Sequence, residues 1–417
     1  MEIDSINILD NKYIISKKYR RRNNRKLNNI IFFIVIIILL ISLCLILLVF
    51  KIQIDWQKLQ LFNLTNELKT INDNYNQKFS DLEEKVKTQK KEINHLNQTF
   101  INKYNEIISN ISQINNILTE SLASKLIEKS IKEQNDFCNN KSKDNNKYEE
   151  RVKLAEVDFN NKKYSMFVYK NSDTISRVIG SYKNWEGRDT MNIIKALNYY
   201  SNKTNIKNED IYIMDLGTNI GWYSFYLGKY GYKILSFEPD HINYYLLRKS
   251  YCLNKDVNII IINRGVHSEE KKCEYYLHIG NEGNGLIFCD KNAEIQKNIL
   301  KYKGEVFLTK LSNFIPFLSD KNLAFIKIDV EGSEEKAIKG GIELITKLHV
   351  PFIFMEWAPN NLKMQKVDKR EFLLLFVNNG YKFSTSNFLD KNYITLDDIV
   401  KTSNTLNLYI IYEKILE

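Results

Sequence analysis

Histidine and cysteine are scarce, five of each in 417 residues. Cys44, Cys138, Cys252, Cys273 and Cys289 contain no C-x-x-C pair, and His95, His241, His267, His278 and His349 are scattered. That spacing matches no zinc finger or ribbon, so no metal site is expected. The thiols could pair in an oxidising compartment, although spacing alone does not assign partners. Cys44 lies inside an apolar run and is expected to be inert. Also missing is the G-x-G-x-x-G fingerprint: two positions after Gly217 stands Asn219, where a pyrophosphate would meet a side chain. A nicotinamide dehydrogenase is excluded on that ground. Residues 158–417 lack a basic stripe interleaved with aromatics, so nucleic acid is not an expected partner.

What is present begins with charge. Lys17, Lys18, Arg20, Arg21, Arg22, Arg25 and Lys26 account for most of the formal net charge of +10. They lie in a polar tail, residues 1–29. Residues 30–50 then carry no charge at all. At 1.5 Å per residue the run spans about 30 Å, the thickness of a bilayer core. It is too long for a secretory leader and no small-residue cleavage site follows. Only Lys51 and Lys58 follow closely, so the charge asymmetry puts the N-terminus in the cytoplasm and the rest across the membrane. The expectation is a signal anchor in the lipid bilayer, with a lumenal or extracellular head.

From Leu61 the apolar positions fall mostly in alternating steps of three and four: Leu61, Leu64, Leu68, Ile71, Tyr75, then Phe79 to Leu118. This predicts a coiled-coil stalk over 55–135 and a homo-oligomer, with a stutter at Tyr75–Phe79. A solitary solvated helix is the rival reading. Residues 136–157 read as a polar linker. Asn63, Asn97, Asn110, Asn140 and Asn202 head N-x-S/T sequons, which an Asn-rich chain also produces by chance.

Residues 158–417 are organised around Ile211–Gly221. Ile211, Ile213 and Met214 make a short apolar run that suits a buried parallel strand. Asp215 ends it, and Gly217 and Gly221 let the backbone turn and approach a ligand. About twenty residues on, Lys233–Phe237 ends in Glu238, a carboxylate placed to grip a ribose diol. This is the nucleotide corner of a doubly wound sheet. The D-x-G-x-x-x-G form suits a nucleoside without phosphates, above all S-adenosyl-L-methionine. A third buried run, Leu323–Ile328, ends in Asp329, Glu331 and Gly332, followed by Ser333 as an expected helix cap with Glu334 and Glu335 in the first turn. A fourth, Pro351–Met355, ends in Glu356.

These blocks, in this order, resemble the FkbM-type methyltransferases over roughly Asp158 to Glu417. The resemblance implies an α/β fold of class I (Rossmann-like) with a seven-stranded sheet, preceded here by the transmembrane helix and the stalk. It implies S-adenosyl-L-methionine as cofactor, with Asp215, Gly217, Asn219, Gly221 and Glu238 around it and Asn263 at the adenine. Trp185 and Glu186 would be lid or substrate contacts, Asp329 and Glu331 the catalytic pair, and Glu356 a substrate contact or a structural acid. The implied reaction is O-methylation of a sugar, glycan or other polyhydroxy acceptor. A non-catalytic stalked protein whose head binds a nucleoside or glycan is the second class. Intact acids at 215, 238, 329, 331 and 356 argue against decay.

Overall fold

The computed structural model describes residues 40–68, 76–144, 146–170, 173–279, 285–289 and 298–417, without the side chains of 76–79 and 110–121. The basic tail (1–29), the start of the apolar run (30–39), Tyr75 and the loop 281–284 lie outside them. The chain divides into two compact units, 1–114 and 115–417.

In the first unit, helix α1 (Leu40–Leu68) is long and apolar enough to cross a membrane, and none of its apolar window is buried. Helix α2 (Asn76–Cys138) begins after residues 69–75. The rings of Phe50 and Phe100 lie 5.8 Å apart, with Lys103 reaching over Phe50. The stretch expected as one stalk is thus carried by two helices that touch, and part of its apolar seam is met within the chain.

In the second unit the last turns of α2 bury Ala123, Ile127, Ser130, Gln134 and Phe137. These positions continue the three–four spacing but face the sheet instead of another stalk. Strands β1 (Val152–Phe159) and β2 (Lys162–Tyr169) form a hairpin. Its turn uses Asn160 and Asn161, both at positive φ, the geometry that matches the twist of paired strands. Helices α3 (Thr174–Tyr182) and α4 (Gly187–Thr204) follow.

The main sheet is built from β3 (Ile211–Leu216), β4 (Lys233–Phe237) and β5 (Asn258–Ile262), with helices α5 (Trp222–Gly228) and α6 (His241–Leu253) between them. An antiparallel insertion of β6 (Gly265–Val266), β7 (Lys271–His278), β8 (Gly285–Phe288) and β9 (Leu300–Thr309) intervenes. The main sheet resumes with β10 (Asn322–Ile328) and β11 (Phe352–Trp357), and closes with β12 (Tyr381–Ser384) and β13 (Leu406–Tyr412). Its order is β12-β13-β11-β10-β3-β4-β5, parallel except where β13 runs against β11 and β12. Ile211 and Ile213 pack into one apolar layer and Leu216 into the other, so both faces of the sheet are covered. That is why the parallel strands read as unbroken apolar runs.

Residues expected as a free linker are instead held down. Cys138 is disulfide-bonded to Cys252 at the end of α6. Glu149 accepts hydrogen bonds from Tyr245 (2.9 Å) and Lys249. Strand β1 begins at Val152, six residues before the expected domain start. The reason is the free edge of β5: the Gln134 side chain donates to Ile259 O (3.0 Å) and accepts from Ile261 N (3.1 Å), satisfying backbone groups that an edge strand leaves open. The insertion carries the second disulfide, Cys273–Cys289.

Candidate active site

The carboxyl ends of β3, β4, β10 and β11 open into one cavity of about 280 Å³. Asp173, Glu186, Glu238, Asp329, Glu331 and Glu356 line it, and among the described residues no Lys, Arg or His does. Of the residues singled out in the sequence, Trp185, Glu186, Gly217, Asn219, Glu238, Asp329, Glu331 and Glu356 reach this cavity. Asp215, Gly221 and Asn263 do not line it.

Asp215 is fully buried beneath the cavity floor. Its Oδ2 accepts from Ser224 Oγ at 2.7 Å and its Oδ1 lies 3.8 Å from Lys327 Nζ. Its carboxylate thus meets Ser224 on α5 and Lys327 on β10, beneath the residues that line the cavity. Gly217 has a φ of +74°, and a Cβ there would stand 1.7 Å from the Asp329 carbonyl oxygen. The close approach of two strand ends demands glycine, before any ligand does. Gly221, at φ +101°, is the N-cap of α5 and packs against Leu247 and Phe225. Asn263 turns away to donate to Glu238 O (2.8 Å) and Pro239 O (3.2 Å), fixing the loop after β4.

Glu238 is buried and accepts from Asn219 N (2.7 Å), Asp240 N (2.8 Å) and Asn243 Nδ2 (3.4 Å). Burial, then the Asp240 carboxylate, push its pKa up to about 8 against those stabilising N–H bonds. Oε1 already accepts two of these bonds, whereas Oε2 accepts one and keeps a lone pair for a hydroxyl donor.

At the other end stand Asp329, Glu331 and Glu356, each offering an oxygen within 4.8 Å of the others. Glu331 holds a left-handed φ of +51° and accepts from Asn361 Nδ2 at 3.1 Å. Burial, then Asp329 and Glu356, raise its pKa well above the ordinary carboxyl range, and burial followed by Asp329 raises Glu356 too. Three carboxylates so close cannot all ionise cheaply, so protons are retained. Carboxylates at this spacing are also the hard-oxygen set a divalent cation takes, which counts of Cys and His could not reveal.

A structural alternative for Asp329 and Glu331 is duty at the cap of the helix Glu334–Lys347. Ser333 occupies the N-cap position but makes no side-chain cap bond. Glu334 instead reaches back to the preceding loop, its Oε1 accepting from Gly332 N (3.0 Å) and Val330 N (3.3 Å). Asp329 and Glu331 are left facing the cavity.

Sequence reasoning missed Lys327, on β10 and nearly buried. Its Nζ donates to Gly217 O at 2.9 Å and to Asp329 Oδ2 at 3.1 Å. Burial alone would lower its pKa, but Asp329 and Asp215 outweigh that and hold the ammonium above its ordinary value. One cation thus ties the glycine loop to the Asp329 carboxylate. A charged residue inside an apolar run was the available signal. Glu186, at a left-handed φ of +44°, accepts from Tyr223 Oη at 2.5 Å and faces the same cavity. Tyr275 and Gly285 close the wall from the insertion, and a Cβ on Gly285 would collide with the Tyr275 hydroxyl.

Residues 215–383 match the family model for the methyltransferase FkbM domain. The chain is also similar to the methyltransferase sdnD of Sordaria araneosa, at 24% identity over 179 aligned residues that cover 37% of this chain and 69% of that one. Among solved structures it is similar to WbdD, at 13% identity with a TM-score of 0.35, covering 58% of this chain and 45% of that one. A SAM-dependent methyltransferase from Aquifex aeolicus gives 12% identity and a TM-score of 0.26, covering 54% of this chain and 89% of that one. The chain therefore spans less than half of the WbdD structure.

Proposed function

We propose that this chain, which carries a methyltransferase FkbM domain over residues 215–383, transfers a methyl group from S-adenosyl-L-methionine to a hydroxyl of a glycan or other polyhydroxy acceptor. The observation that carries the proposal is the division of the cavity. A buried ribose-type acceptor, Glu238, stands at one end, and Asp329, Glu331 and Glu356 converge at the other.

The donor set fits that cofactor. Among the described residues six carboxyl groups and no cation line the cavity, which suits a ligand bearing a diol and a positive centre. Glu238 would accept from the ribose hydroxyls, with the Asn219 turn beside it. The bound donor supplies an electrophilic methyl group. The protein's part is then mainly positioning, which can account for several kcal/mol of barrier. Asp329, held by Lys327, and Glu331, held by Asn361, would orient the acceptor hydroxyl, and the ionised member of this carboxyl cluster would take its proton. Glu356 and Glu186 would contact the acceptor.

Anchoring through residues 30–50, with the head lumenal or extracellular, is part of the same reading. It is supported by the exposed apolar helix α1 and by two disulfides in the head, which belong to an oxidising compartment. The stalk is proposed to associate copies of the chain, a part removed if light scattering of the solubilised protein gives a monomer.

Calorimetry with S-adenosylmethionine, followed by label transfer to mixed glycans, tests the reaction. Asp329→Asn and Glu331→Gln keep shape and remove charge. Donor affinity should stay near wild type while transfer falls at least about a hundredfold, the low end for a lost general base. Wild-type transfer matched by both variants would make these acids structural.

A further inference from the structure

Beside the cavity runs a second concavity of about 910 Å³, with opposite electrostatic character. Lys153, Lys170, Arg177 and Lys183 line it. The hairpin and α3 bring them together. Lys153 lies on β1, and Lys170 follows β2, its backbone N–H bonded to Arg151 O at 2.9 Å. Thr174, Arg177 and Ser181 recur at helical spacing on the groove side of α3. Lys183 ends α3 in a left-handed conformation, where its own N–H closes the last turn onto Ile179 O. None of the four cations enters an ion pair among the described residues.

The opposing charge in this groove is small. Glu156 is exposed, and Asp173 accepts from Ser176 N at 2.6 Å in capping α3. Asp173 and Thr174 line both concavities, so the groove and the acid-lined cavity adjoin at the start of α3. The character of the lining therefore changes across that shared edge, with carboxyl groups on one side and ammonium and guanidinium groups on the other. A neutral sugar chain gives no reason for four unpaired cations there. A ligand that carries an oxyanion a short way from the reacting hydroxyl matches both halves. An anionic membrane would meet a flat basic face in preference to a groove.

We infer that the groove is an acceptor subsite for an anionic glycan, one bearing carboxylate, sulfate or phosphate groups near the hydroxyl that is methylated. The inference rests on the methyltransferase reading of the adjoining cavity. Its test uses the full chain in detergent with a heparin-derived hexasaccharide as the anionic probe and maltohexaose as the neutral one. Binding of each is titrated at low salt in the presence of S-adenosylhomocysteine.

The anionic probe should bind and the neutral one should not. Lys153→Glu with Arg177→Glu should weaken the anionic probe about tenfold, from two reversed charges at a solvated rim. Lys363→Glu with Lys366→Glu, an equal charge change outside the groove, should weaken it less than about twofold. Raising the salt should erase the difference between the two double variants. Equal loss in both, no loss in either, or no binding of the anionic probe overturns the subsite. Groove-dependent binding to anionic phospholipid vesicles that excludes the glycan overturns it as well. S-adenosylhomocysteine binding is read separately in every protein: its absence removes the methyltransferase reading, and its retention with an unselective groove removes only the subsite.

Discussion

Glu331 gathers several forces at one position. Its backbone is held at positive φ, one oxygen accepts from Asn361, and Asp329 and Glu356 crowd the other side. The pH dependence follows from the direction of the shifts. An unfolded glutamate titrates near 4.5, whereas burial and neighbours raise Glu331, Glu356 and Glu334, and lift Glu238 to about 8. Between those values the folded state holds protons that the unfolded state has released. Stability is then fully present below about 4.5 and lost as pH rises through the folded values. The unliganded protein should melt at progressively lower temperature from pH 5 to 8.5 in differential scanning fluorimetry. Glu331→Gln, already neutral, should show a shallower fall; an unchanged slope would mean that Glu331 does not hold its proton. At this scale the sequence placed acids at strand ends well, because each follows an apolar run. It did not separate Glu238, which lines the cavity, from Asp215, which lies below it. Both look alike in one dimension, and only packing of β3 against β10 distinguishes them.

Among the elements, the parallel strands β3, β4, β10 and β11 were legible nearly to the residue, since parallel strands covered on both faces are continuous apolar runs. The insertion β6–β9 was not. Its strands are amphipathic, and β7 pairs with β9 across a gap of more than twenty residues, a partnership that local pattern cannot show. The docked end of α2 was read as the end of a stalk, and a polar Gln134 gives no hydrophobic signal of docking. It is a bridge to an edge strand instead. The Cys138–Cys252 link secures that docking and spans 114 residues, against 16 for Cys273–Cys289. In the chain-entropy account, loops of about 100 and about 15 residues contribute roughly 4.7 and roughly 3 kcal/mol. Replacing Cys138 and Cys252 by Ser should therefore lower urea stability more than replacing Cys273 and Cys289. The reverse order would mean that α2 holds to β5 without the covalent link.

For the whole molecule, one arrangement reconciles the tail, the apolar helix and the disulfides. Seven cations crowd residues 17–26 ahead of the apolar run 30–50, and two follow it closely. That bias favours a cytoplasmic N-terminus. Both disulfides and the acid-lined cavity lie in residues 115–417, which this orientation carries to the oxidising side. The sequons at Asn140 and Asn202 would travel with them, and both side chains are exposed. The same orientation separates the proposed methyl donor from cytoplasmic supply, so it requires donor import. Sealed microsomes decide between the two. With an epitope at each end, protease should remove the N-terminal epitope and spare the C-terminal one until detergent is added. Thiol labelling under the same conditions should find no cysteine reactive before reduction, since Cys44 lies in the bilayer and the other four are disulfide-bonded. A C-terminal epitope lost without detergent, with Cys138, Cys252, Cys273 and Cys289 all reactive, would place the head in the cytoplasm. The donor would then need no import, and the disulfides would not form in the cell.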